Sequence, residues 1–192
     1  MDFGKTIMTE GISEEQKQTV KFRLAYADML RTLSTPGFID ALCAHEAAHV
    51  VYYEMMGAIR YELLPPRLEY DSQNRRFIGH FAAIQLAEEP LCEPQKWQGY
   101  VTLLSRAQAA GGVVGRRLFP ASSGGDEGDR EKFRRICAEL ISHFGGIRID
   151  VESVWRQAQE TVEKQLENDP QIMQKIHQRA AELRSSFSSL GR

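Results

Sequence analysis

His45, Glu46 and His49 stand in the stretch Ala44-His45-Glu46-Ala47-Ala48-His49-Val50, and their types and spacing could do chemistry. Residues four apart fall on one face of an α-helix, so both imidazoles can reach a single metal ion while the Glu46 carboxylate sits beside a water on that ion. The chemistry open to such a set is hydrolysis. Zinc lowers the pKa of its water from about 16 toward ~7, and a neighbouring carboxylate can take the proton.

A helix must present these side chains. Thr35 and Pro36 read as its start, a hydroxyl cap followed by a proline in the first turn, and Gly57 reads as its stop. Between them Phe38, Ile39, Ala41, Leu42, Cys43, Ala44, Ala47, Ala48, Val50, Val51, Met55 and Met56 leave almost no polar face, the pattern of a helix buried on all sides. A buried polar group without a partner costs ~1 to 3 kcal/mol, and a metal ion would satisfy all three at once. The bland alternative, imidazoles bonded to core carbonyls, suits a lone histidine better than the complete pattern.

Catalytic zinc usually takes three protein ligands and a water, so one nitrogen or oxygen donor is missing from the helix. The metzincin spacing is excluded, because Met55 stands where its third histidine would be and Tyr52 where its glycine would be. Further along, Ser122-Ser123-Gly124-Gly125-Asp126-Glu127-Gly128-Asp129 opens a second helix that continues through Phe133, Ile136, Cys137, Leu140 and Ile141 at three- and four-residue steps.

The two segments together resemble the peptidase domain of the FtsH family, membrane-anchored AAA+ zinc proteases whose H-E-A-G-H helix is followed by a small-residue helix and an acidic turn. Ile59 to Pro66 with Phe77 to Phe81 resembles the family's strand region, with Pro66-Arg67 and Ile78-Gly79-His80 in corresponding places. Ala109 to Phe119 resembles its glycine-bearing helix, and the likeness runs over about residues 37–187. It implies a mainly α-helical fold with a small β element of two or three strands, zinc as cofactor, and proteolysis. It also implies Asp129 as third ligand beside His45 and His49, with Glu46 as general base. Asp126 is a second carboxylate in the same turn, better placed as a helix cap, whereas Asp129 falls in the first helical turn.

The chain departs from the family at several positions. Ala48 replaces a glycine and adds a methyl group near the site, Asp126 replaces a small residue, and Arg116 and Arg117 stand where the family has acidic residues. No G-x-x-x-x-G-K-[ST] loop is present, so the family's ATPase motor is not expected here, and with no long apolar stretch neither is its membrane anchor.

With 192 residues, 42% of them hydrophobic, the expectation is a loose arm over 1–12 and one zinc peptidase domain over 13–192. The net charge of -2 and the lack of any basic run exclude nucleic acid as an expected partner. There is no apolar stretch of about 18 residues and no signal-peptide order at the start, so no membrane partner and a cytoplasmic location are expected. Cys43, Cys92 and Cys137 form no metal or disulfide pattern and read as reduced thiols.

Ser13 and Gln16 read as a capping box for a helix to about Thr32, with Val20, Leu24, Ala27 and Leu30 as its apolar stripe. A hairpin follows the metal helix, Arg60 to Leu64 with Phe77 to Ala83, turning across Asp71-Ser72-Gln73-Asn74; it would either bind an extended peptide at its edge or only cover the core. A helix from Pro94 through Leu118 has small residues at Ala107 and Ala109 to Gly112 that permit close approach. Asp126 or Gly125 caps the next, which ends at Gly145-Gly146, and Asp150 and then Asp169-Pro170 open the last two. His80 and His143 are candidate oxyanion partners, more ordinarily half-buried side chains; His177 reads as solvent-facing, and Tyr52 and Tyr53 as core.

The function expected is ATP-independent cleavage of unfolded proteins or peptides, with self-association and a separate ATPase partner left open. Two alternatives remain: a non-catalytic helical interaction module that keeps the fold, and a repressor-cleaving regulatory zinc protein.

Overall fold

A computed structural model describes residues 13–57, 60–71, 76–86, 92–120 and 126–190. The expected arm over 1–12, the turn across Ser72 to Asn74 and the Ser122 to Gly125 stretch lie outside them. The fold is mainly α-helical with a small β element, as expected. The helices are α1 (Glu14–Leu33), α2 (Phe38–Met55), α3 (Trp97–Leu118), α4 (Asp126–Phe144), α5 (Val151–Asn168) and α6 (Pro170–Leu190).

The centre is the pair α2 and α3. Against it α6 packs on α2, while α4 and α5 pack on α3. Apolar side chains cover almost every direction of α2, and Ala41 to Tyr53 carry its buried positions, so it is the core helix its composition predicts. Two ion pairs tie α6 to it, Arg179 to Glu54 at 2.7 Å and Arg184 to Asp40.

The start of α2 differs from expectation. Thr35 does not cap it: its hydroxyl donates back to the Arg31 carbonyl at 3.3 Å, finishing the previous helix. Gly37 takes the N-cap position with φ of 77°, and the helix begins at Phe38, after Pro36 rather than around it. The chain must reverse between α1 and α2, and the left-handed backbone that does this suits glycine. Gly57, with φ of 92°, stands just beyond the other end, as expected of a stop.

The Ser13 and Gln16 capping box forms at the head of α1. Its stripe does not act as predicted: Val20, Leu24 and Leu30 are 47%, 57% and 46% exposed, and Met29 is the buried residue of the helix. Periodicity marks an apolar face, but among the described residues only the end of α1 nearest α2 finds a surface to cover it.

The β element is four short strands where two or three were expected: β1 (Tyr61–Leu64), β2 (Arg67–Asp71), β3 (Arg76–His80) and β4 (Ala83–Leu86). Pro65-Pro66 and Phe81-Ala82 break what would be one long hairpin into two antiparallel pairs, β1 with β4 (Leu63 opposite Ile84) and β2 with β3 (Glu69 opposite Ile78). β4 lies on α2.

A 3-10 turn at Pro94–Lys96 leads into α3. Asp150 caps α5, its side chain accepting from the Ser153 amide at 3.1 Å, and Asp169 does the same for α6 through Gln171 at 3.0 Å. Gly145 and Gly146, with φ of 61° and 68°, end α4. Among the described residues no helix is long and apolar enough to cross a membrane.

Helix α4 is gripped from both sides. Inward, Phe133 and Cys137 are fully buried, and the Phe133 ring lies 5.8 Å from that of Trp155 on α5. Outward, Glu152 accepts from Arg134 at 2.8 Å and pairs with Arg130. The aromatic contact carries more of the energy, since exposed ion pairs are worth ~0 to 1 kcal/mol each. Phe133→Ala is therefore expected to cost about 3 to 5 kcal/mol in urea unfolding, whereas Glu152→Gln, at an exposed ion pair, should change the midpoint far less; equal losses would contradict this division.

Candidate metal centre

His45 and His49 lie one helical turn apart on the face of α2 turned toward α3 and α4. The His49 Nδ1–H donates to the Ala107 carbonyl of α3 at 2.7 Å. A carbonyl can only accept, so the proton is on Nδ1 and, in the neutral ring, Nε2 presents a lone pair to the site. This is the way a histidine ligand is usually oriented by its second nitrogen.

Asp129 arrives from the first turn of α4. Its Oδ2 stands 3.2 Å from His45 Nε2 and 3.3 Å from His49 Nε2, and the two Nε2 atoms are 3.0 Å apart. Zinc bonds of ~2.0 to 2.1 Å in a tetrahedron require ligand-to-ligand separations of about 3.3 Å, so the triangle has the dimensions of one tetrahedral face. Asp129 Oδ2 is buried and has no hydrogen-bond partner. An orphaned carboxylate oxygen facing two imidazole nitrogens fits a cation.

The space for that cation comes from α3. A Cβ on Gly111 would lie 2.5 Å from His49 Nε2 and 2.6 Å from His45 Nε2. The small residues expected to permit helix approach thus have a sharper use: they bring the α3 backbone against the donor atoms and leave a hollow beside them. A Cβ on the neighbouring Gly112 would overlap the Asp126 carboxylate.

Asp126 itself is turned away from the triangle. It pairs with Arg116 and accepts from Gln159 Nε2 at 3.3 Å. Of the three carboxylates in the acidic turn, Asp126, Glu127 and Asp129, only Asp129 joins the histidines among the described residues.

The electrostatics follow from these distances. Burial works against charge on His49, but Asp129, with help from Glu46 and the Ala107 carbonyl, raises its pKa to about 9. Burial would also raise Asp129, yet the imidazoles of His49 and His45 hold it well below the ordinary carboxylate range. Glu46, 7% exposed, is shifted upward by burial, opposed by His49, His45 and Lys132 and reinforced by Asp129.

The site opens into a cleft of about 1110 Å³. Phe38, Leu42, Phe81, Ile84 and Phe119 contribute apolar wall, and His45, Glu46, His49 and Asp129 contribute its polar part. The backbone from His80 through Ile84 runs along one side. His80 lines this cleft, its Nε2 bonded to the Pro65 carbonyl at 3.1 Å. His143 does not: it is exposed in the last turn of α4, stacked edge-on with Phe144 beside a different hollow. Tyr52 is core, its hydroxyl buried, and Tyr53 meets Gln108 in the cleft wall. His177 is exposed as expected. Gly111, the Ala107 carbonyl and Lys132 are the parts of the site that sequence reading did not single out.

The chain matches no known protein family, no curated protein and no solved structure.

Gly111→Ala is expected to leave the helical circular dichroism unchanged while weakening zinc affinity at least about 100-fold, measured by chelator competition, because its methyl group would occupy the cation's space. Wild-type affinity in this variant would show that the hollow is not the binding position. A second expectation concerns pH. A His49 pKa of about 9 in the folded, metal-free protein lies above the unfolded value of ~6.5. That linkage stabilises the metal-free fold fully below pH ~6.5, and the contribution is lost as pH rises through about 9. Metal replaces the proton, so the thermal midpoint should fall between pH 6.5 and 9 in chelator-treated protein and stay nearly level with zinc; parallel curves would contradict the assignment.

Proposed function

We propose that this chain is a zinc-dependent endopeptidase similar to the FtsH peptidase domain, cutting unfolded proteins or peptides without ATP. The observation that carries the reading is the triangle of His45, His49 and Asp129, with Glu46 beside it, opening on an apolar cleft. Three protein donors leave a coordination position open, which suits a catalytic rather than a structural site.

Bound there, zinc would supply an acidified water and a Lewis acid for the scissile carbonyl. The chain's own residues do the rest. Glu46 is on the same helix as both histidines, and burial makes its carboxylate a better proton acceptor than one in water. It takes the proton of the attacking water and returns it to the leaving amine. The Ala107 carbonyl keeps His49 in the tautomer that offers Nε2.

The stretch from His80 to Ile84 supports extended binding, since a peptide laid along it would pass the metal side of α2. The order of the helices supports the family resemblance: the H-E-x-x-H helix at the centre, a glycine-bearing helix against it, and a ligand-bearing helix after an acidic turn. A non-catalytic module would have no use for a buried, upshifted Glu46 beside the ligands.

Glu46→Gln should keep one zinc per chain and lower casein cleavage at least about 100-fold. Asp129→Asn should lose the metal. Iron in place of zinc with no peptide cleavage, or full activity in the zinc-loaded Glu46→Gln variant, would overturn the reading. A stable folded substrate should resist cleavage while its destabilised mutant is cut, with or without ATP, because the open population is set by substrate stability. ATP-stimulated cutting of the stable protein by this chain alone would contradict that part.

A further inference from the structure

The tetrahedral intermediate of peptide hydrolysis carries negative charge on the former carbonyl oxygen, and peptidases place a donor or cation there in addition to the metal. His143 lies outside the cleft, and His80 is committed to the Pro65 carbonyl. The Tyr53 hydroxyl is engaged by Gln108. Arg116 on α3 is held by Asp126.

One cation does face the cleft. Lys132 follows Asp129 by three residues on α4, which places it on the same face of that helix one turn on. It is half-buried, and among the described residues lining the cleft it is the only lysine or arginine. It has no ion pair or hydrogen bond with the described residues, unlike Arg130 and Arg134 on either side, which share Glu152. It is near enough to Glu46 to lower that carboxylate's pKa, so its charge is felt where the reaction would occur.

We propose that Lys132 is a catalytic residue of this site, binding the substrate's carbonyl oxygen and stabilising the oxyanion that forms there. This rests on the peptidase reading above. As the water oxygen bonds to the carbonyl carbon, the carbon–oxygen π pair moves onto the carbonyl oxygen, and the water's proton goes to Glu46. Negative charge thereby leaves the Glu46 carboxylate and appears on substrate, in the cleft that Lys132 lines. When the pair returns, the carbon–nitrogen bond breaks and Glu46 gives its proton to the amine. A lysine is suited to this because it offers a positive charge and three donors on a stem that can follow the oxygen.

The test compares zinc-loaded wild type, Lys132→Met and Lys132→Arg. It reads zinc content, kcat and KM on a fluorogenic peptide, and affinity for a phosphinic peptide, a stable anionic mimic of the tetrahedral state. Lys132→Met should retain zinc, lose about 100-fold in kcat with little change in KM, and bind the phosphinic peptide correspondingly less well. Lys132→Arg should recover much of both. Wild-type kcat and phosphinic affinity in Lys132→Met, with active wild-type enzyme, would overturn the Lys132 role and leave the peptidase reading intact. A raised KM at unchanged kcat, confined to peptides with a free C-terminal carboxylate, would also overturn it by showing a carboxylate anchor instead. Zinc-loaded wild type that cuts no peptide would overturn both.

Discussion

The charge balance at one buried point governs this structure. Two imidazoles and two carboxylates, His45, His49, Asp129 and Glu46, are drawn out of water onto the inner faces of α2 and α4. Isolated, each charged form would be costly, and their mutual pairing overcomes that cost: the His49 imidazole holds a proton to about 9 despite burial, while Asp129 is held ionised. A proton is the poorer solution, because it can join Asp129 Oδ2 to only one imidazole nitrogen at a time, whereas three donor atoms converge at 3.0 to 3.3 Å. A divalent cation answers every one of these demands with the side chains already in place.

That solution requires close backbone approach, and α3 supplies it. Ala107, Ala109, Ala110, Gly111 and Gly112 are all buried, and the glycines lie where α3 passes the donor atoms. Glycine in a helix interior is unfavourable by roughly 1 kcal/mol relative to alanine, so two in succession there need a reason. Gly111 leaves room beside the imidazoles, and Gly112 leaves room for Asp126. Arg116, one turn farther along the same helix, then takes up Asp126. The helix that leaves room beside the imidazoles therefore also separates Asp126 from Asp129, the one drawn to an arginine and the other to the histidines.

The placement of the donor residues and the mainly helical class were more legible in the sequence than the details of the architecture around them. His45, Glu46 and His49 announce themselves because a four-residue spacing on a helix has one geometric meaning. The capping residues Ser13, Asp150 and Asp169 were legible for a similar reason: a cap is a contact between residues two or three apart. Asp129 was expected from family resemblance and from its place in the first helical turn, while the contacts that hold Asp126 apart, to Arg116 and Gln159, are distant in sequence. What stayed hidden was nonlocal. The exposed face of α1 has the same periodicity as a covered one, and Thr35 has the same composition whether it caps the following helix or bonds to the preceding one. Gly111 and Lys132 are unremarkable until α3 and α4 are packed beside α2.

The three donors do not have equal standing in the fold. His45 and His49 are fixed by the core, since α2 is clasped by α3 and α6, and His49 is further held by Ala107. Asp129 belongs to a helix that packs on α3 and α5. A cation on all three would add a direct tie between α2 and α4, and its binding energy would enter the positioning of α4 as well as the site. Lys132 rides on the same helix, so whatever fixes Asp129 also fixes the cation that faces the cleft. If the proposed reading holds, metal and substrate would be coupled through α4, because the helix that carries Asp129 also carries Lys132 into the cleft.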